Sequence, residues 1–145
     1  MARQVSVIGS GREHEPAAEE VGRLLAERGC VVVTGGLGEV MAAAHRGAKA
    51  AGGTTIAILP GERRADANPW ADHVVVTGVG HARNLAVAAS GDAVIAVGGS
   101  WGTVAEIAFA MRLGRPVVVL EGPAVDGVPR AASPLEAVDA VLARL

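Results

Sequence analysis

The chain has no tyrosine, one phenylalanine and two tryptophans in 145 residues, although half of it is hydrophobic. Its core must therefore come from small aliphatic side chains, chiefly Ala and Val, which suit helices lying close on a sheet. A single cysteine, Cys30, excludes an internal disulfide; at the edge of an apolar run it reads as a small buried hydrophobe. No run of 18 apolar residues is present, which argues against a transmembrane helix. The N-terminus lacks the basic, apolar and small-residue order of a signal peptide, so the expected location is cytoplasmic. Charge of one sign is missing too: 13 basic against 15 acidic residues leave a formal net charge of −2. Neither half is strongly basic, so general nucleic-acid binding is not expected.

Several chemistries lack their residues. His14, His45, His73 and His81 show no metal-ligand spacing, and one cysteine cannot build a zinc site, so no protein-ligated metal is expected. Ser10, Ser90, Ser100 and Ser133 lie outside any Gly-x-Ser-x-Gly elbow, which leaves serine hydrolysis unsupported.

What is present is alternation. Apolar runs at 5–8, 31–33, 55–59, 73–76, 93–97 and 117–120 read as strands. Between them, residues 15–28, 39–51, 82–89 and 103–113 carry helical spacing. A last helix opens at Ser133-Pro134-Leu135-Glu136, with Ser as N-cap, Pro at the first helical position and Glu three after the cap. Strands that are continuously apolar are buried on both faces, as in parallel sheets. The expectation is an α/β fold: a Rossmann-like doubly wound parallel sheet in three αβα layers, one domain over residues 1–145.

Glycines follow the first five predicted strands: Gly9-Ser10-Gly11, Gly35-Gly36, Gly61, Gly78 with Gly80, and Gly98-Gly99. All fall on one edge of such a sheet, where open α/β folds bind ligands and where helix N-termini favour phosphate. Two nucleotide motifs are excluded. Gly9-Ser10-Gly11-Arg12-Glu13-His14 places His at the third glycine of the dinucleotide fingerprint, and no Gly-Lys-Ser/Thr follows any cluster to make a P-loop.

The most specific segment is Gly98-Gly99-Ser100-Trp101-Gly102-Thr103-Val104-Ala105-Glu106. It resembles the GGxGTxxE motif of the Lonely Guy and lysine-decarboxylase-like (SLOG) superfamily, which includes molybdenum-cofactor carrier proteins. Gly80-His81-Ala82-Arg83-Asn84 is similar to that superfamily's Arg-containing segment, and Gly35-Gly36-x-Gly38 also fits. The resemblance implies phosphate binding by Gly98, Gly99, Gly102 and Thr103, with Gly9, Ser10, Gly35, Gly36, Asn84 and Ser100 around the ligand. It also implies that Arg83 and Glu106 match the pair that cleaves the N-glycosidic bond of a nucleoside 5′-monophosphate. Val97 stands where Lonely Guy enzymes usually carry Pro, and Asn84 where they carry Lys; the Gly-x-Ala-Arg-Asn form resembles the carrier branch. Lysine decarboxylation has no support, because Lys49, the only lysine, sits on a predicted helix.

The 103–113 helix is apolar nearly all round, with Glu106 and Arg112 its only charges. Val104, Ile107, Ala108 and Met111 form a stripe assigned to the sheet, which puts Glu106 on the side away from it. The other side is expected to meet a second copy, giving a homodimer or larger even homo-oligomer through this helix. Burial would raise the Glu106 pKa, whereas Arg83 nearby would hold the acid ionised; sequence leaves the two open. Trp70 reads as packing its loop onto the sheet rather than stacking on a heterocycle. Arg63 and Arg64 read as solubilising.

Two functions follow. One is hydrolysis of a nucleoside 5′-monophosphate by Arg83 and Glu106, with no required cofactor. The other is non-catalytic carriage or sensing of a phosphorylated pterin or nucleotide. The expected ligand is accordingly a mononucleotide or molybdenum cofactor.

Overall fold

Alternate residues of the first strand point to opposite layers: Val5 and Val7 join one core cluster, Ile8 the other. In the computed structural model, which describes residues 1–145, the strands are β1 (Gln4–Ser10), β2 (Val31–Thr34), β3 (Thr55–Leu59), β4 (His73–Val76), β5 (Ala93–Gly98), β6 (Val117–Leu120) and β7 (Arg130–Ala131). The helices are α1 (Glu15–Glu27), α2 (Val40–Ala50), α3 (Arg83–Ser90), α4 (Trp101–Arg112) and α5 (Pro134–Leu142).

One sheet in the order β4-β3-β2-β1-β5-β6-β7 contains all seven strands, and every pairing is parallel. Helices α1, α2 and α5 cover the face carrying Val5, Val7, Val32, Ile95 and Leu120. The other face, with Ile8, Val33, Val94 and Val117, meets Val87 and Ala88 of α3 and Ile107 and Ala110 of α4. This is the expected Rossmann-like three-layer α/β fold. The chain winds outward from β1 to β4, then returns to β5 on the other side of β1. The connections leaving β1 and β5 therefore diverge, which opens a crevice at their carboxyl ends.

Small residues set the spacing of the layers. A Cβ on Gly22 of α1 would lie 1.9 Å from the Ala44 carbonyl oxygen of α2. A Cβ on Gly47 of α2 would lie 1.9 Å from the Glu19 carbonyl oxygen of α1. The two helices thus touch backbone to backbone at two reciprocal points.

The helix start at Ser133 is as read: its Oγ accepts the Glu136 N–H at 3.1 Å. Cys30 is buried. Trp70 packs its loop, with its carbonyl accepting Thr55 Oγ1–H at 2.6 Å and Arg46 over its ring at 5.1 Å. Strand β7 falls between the last expected strand, 117–120, and the Ser133 helix start, where no strand is expected. It has two residues, one of them a charged Arg130, so it carries no apolar run.

One placement needs correction. The buried stripe of α4 is Thr103, Glu106, Ile107 and Ala110, while Ala105, Ala108 and Met111 are exposed and Val104 is half-buried. Glu106 therefore faces inward, not away from the sheet. Apolar residues surround this helix, so several stripes are equally hydrophobic, and packing of Ile107 and Ala110 on the sheet decides the rotation that hydrophobicity leaves undetermined.

Candidate functional site

The crevice at the end of β1 and β5 deepens into a cavity of about 300 Å³. Gly9 and Ser10 of β1 line it, together with Gly35 on the β2–α2 connection and Met41 in the first turn of α2. His81 and Arg83 enter from the start of α3; Ser100, Gly102, Thr103 and Glu106 come from the start of α4. Gly9 is demanded by the strand pairing: at φ 131°, a Cβ there would sit 1.8 Å from the Val97 carbonyl oxygen. Helix α4 makes its first intrahelical bond from Val104 N–H to Ser100 O, at 3.0 Å. The amides of Trp101, Gly102 and Thr103 precede that bond, and the Ser100 side chain caps none of them. These unpaired donors carry the positive end of the helix dipole.

Arg83 is the cation of the site. It is 9 % exposed, and its guanidinium lies against the Gly35 backbone, where an added Cβ would be 2.7 Å from Cζ. Nη1 donates to Asn84 Oδ1 at 2.5 Å, but the buried Nε–H has no partner. A buried guanidinium with an unused donor is expensive unless an anion completes it.

Glu106 faces the same cavity at 8 % exposure. Burial pushes its carboxyl up to about 7, outweighing the Arg83 charge that pulls the other way. Burial also lowers the Arg83 pKa, with Glu106 opposing; a guanidinium stays charged regardless. Near neutrality the pair thus consists of a fixed cation and a carboxyl able to give or take a proton.

A buried network holds the β2–α2 wall. Thr34 Oγ1 accepts the Gly36 N–H at 3.0 Å and contacts His45 Nε2 at 3.1 Å. Asn68 Nδ2 donates to His45 Nδ1 at 3.2 Å and to Leu37 O at 3.2 Å, and Asn68 N–H donates to Gly36 O at 2.8 Å. With Nδ1 accepting, the proton of neutral His45 sits on Nε2 and points to Thr34. Burial lowers this imidazole to about 4.

Of the residues expected at the ligand, Gly9, Ser10, Gly35, Arg83, Ser100, Gly102, Thr103 and Glu106 line one cavity. The others stand behind it. Gly36 packs on Ala57 and Leu59, and Asn84 binds Arg83. Gly98, at φ 62°, abuts the His14 ring, and Gly99, at φ 107°, abuts Thr103. Sequence reasoning missed His81, considered only as a metal ligand, and Met41. A histidine two residues before the arginine in a glycine turn was the available signal for the first.

Fold and cavity together define a Rossmann-like α/β protein with a polar cavity, walled in part by the buried Arg83, at its topological switch point. The chain belongs to the SLOG cluster4 family, which it matches over residues 2–141. A protein of Archaeoglobus fulgidus is 45% identical over 141 residues, 94% of this chain and 92% of that protein. The molybdenum cofactor binding protein of the phototrophic bacterium Rippkaea orientalis has a similar structure, with a TM-score of 0.93 and 31% identity over 99% of this chain and 98% of that one. The molybdenum cofactor carrier protein of Chlamydomonas reinhardtii superposes with a TM-score of 0.89 at 33% identity, over 99% and 98% of the two chains. No helix is long and apolar enough to cross a membrane.

Proposed function

We propose that the protein binds a phosphorylated pterin of the molybdenum-cofactor type and carries it without chemical change. The observation that carries this reading is the buried Arg83, with an unpartnered Nε–H, in the wall of a cavity edged by the free amides of α4. A phosphate monoester supplies what both lack: acceptor oxygens for the Nε–H and the amides, and negative charge for the guanidinium. Gly98, Gly99, Gly102 and Thr103 shape that phosphate seat, Ser10 and Ser100 offer hydroxyls, and Gly35 lets the guanidinium lie flat. The likeness to two solved molybdenum-cofactor proteins supports the pterin over other phosphorylated ligands. The test is retention. Molybdenum cofactor released from a molybdoenzyme is mixed with the protein, and molybdenum and pterin are counted per chain after gel filtration. Retention near one per chain is expected, with loss in Arg83→Met; no retention by the unaltered protein ends this reading.

A second reading, hydrolysis of a nucleoside 5′-monophosphate, is favoured by one observation: Glu106 is buried beside Arg83 with a carboxyl near 7. Such a group suits protonation of a leaving base or activation of water. Base release from AMP that disappears in Glu106→Gln supports it, and equal release by both proteins removes it.

We also infer that a second copy covers α4. Trp101 is 85 % exposed beside Ala105, Ala108 and Met111, an apolar strip without a partner in one chain. Sedimentation should show an even oligomer that Ala108→Glu dissociates; a monomer at micromolar concentration refutes the inference.

A further inference from the structure

Two residues other than glycine have positive φ, and both are glutamates: Glu39 at 55° and Glu121 at 57°. Both place their carboxylates on the connection that leaves β1. Glu39 Oε2 accepts the Gly11 N–H at 2.7 Å, and Glu121 Oε1 bonds His14 Nδ1 at 2.8 Å. The second contact is a fastening, since the His14 ring is wedged against Gly98. The first has a different setting. Glu39 combines φ 55° with ψ −125°, a conformation that glycine adopts readily and a side-chain-bearing residue does not. The strain is maintained where a carboxylate bridges the β1–α1 and β2–α2 connections, beside the cavity-lining Ser10, Gly35 and Met41. Strain held at a pocket rim points to function rather than stability.

We propose that Glu39 sets ligand selectivity, occupying the Gly11 amide with its carboxylate so that the pocket accepts a single phosphate group and turns away a second. The inference rests on the phosphate-binding reading of the cavity given above. Arg83 is the only arginine or lysine lining the pocket, and it and the α4 amides are consumed by one phosphate. A second phosphate would be drawn to the glycine connection after β1, which offers backbone donors beside the cavity. There the Gly11 N–H already has an acceptor, and the approaching charge meets a carboxylate of the same sign.

The test compares AMP and ribose 5-phosphate with ADP and pyrophosphate by titration calorimetry at pH 7.5 and fixed low salt. The proteins are the unaltered chain, Glu39→Gln, which keeps a side-chain acceptor for Gly11 without the charge, and Glu39→Gly, which also removes the strain. The unaltered protein should favour AMP over ADP by about tenfold, and both variants should narrow that ratio to about twofold with AMP affinity nearly constant. Glu39→Gly should also melt higher, which separates relief of strain from loss of charge. An unaltered protein indifferent to the second phosphate, or a preference that survives Glu39→Gln, overturns the selectivity role while leaving the phosphate site standing. Failure to bind any of the four compounds removes the selectivity role, while the phosphate seat itself stands or falls with molybdenum-cofactor retention.

Discussion

Arg83, Glu106 and His45 are the ionisable residues among the buried polar groups of a core made mainly of Ala, Val, Leu and Ile. For Arg83, that placement lowers the stability of the unliganded protein. Replacing a buried cation that has an unused donor by an apolar side chain of similar length removes a desolvation penalty. Arg83→Met is therefore expected to raise the melting temperature of the free protein by several degrees and abolish its further rise on adding ligand. A lower melting temperature with ligand stabilisation intact would contradict this. The two titrating groups act with opposite sign over nearly the same pH range. The folded pKa of Glu106 is raised from 4.5 to about 7, so its neutral form is favoured; that contribution is complete below 4.5 and lost as pH rises through 7. The folded pKa of His45 is lowered from 6.5 to about 4, so its contribution is complete above 6.5 and lost as pH falls towards 4. Each amounts to about 3 kcal/mol across its window. Urea unfolding between pH 4 and 7.5 should show the two slopes nearly cancelling in the unaltered protein, and Glu106→Gln should uncover a rise in stability with pH from His45 alone.

The reciprocal glycines of α1 and α2 make the tightest demand on the packing of these elements. A methyl group at Gly47 must push the helices apart, because the atom it meets is the backbone oxygen of Glu19. Gly47→Ala should cost about 1–3 kcal/mol despite its better helix propensity, and Gly22→Ala about the same. Denaturant midpoints check this, and an unchanged or higher midpoint would show that the helices can separate freely. The same scale shows what sequence could tell. Six strands and five helices were legible because each carries a plain period or a glycine, proline or serine boundary. The inward face of Glu106 was not, because α4 offers equal apolarity in several directions and only the packed sheet chooses among them. The role of His45 was equally hidden. Its partners Thr34 and Asn68 lie 11 and 23 residues away in sequence, and no local pattern joins them.

Across the whole molecule, the site is a consequence of strand order. Reversal of winding between β1 and β5 creates the crevice, and the chain returns to it from four separate connections. The glycine clusters pointed to that edge, and the Gly98–Glu106 segment to the residues within it. What sequence could not give was the division between lining and support, since Asn84 and Gly98 adjoin lining residues yet serve them from behind. The most direct measurement of the central claim is the ¹H–¹⁵N spectrum of the protein titrated with ribose 5-phosphate. The Arg83 Nε–H should move downfield as it gains its missing acceptor, together with the amides of Trp101, Gly102 and Thr103. If those four signals stay still while phosphate-dependent shifts appear elsewhere or nowhere, the pocket at the switch point is not the phosphate site.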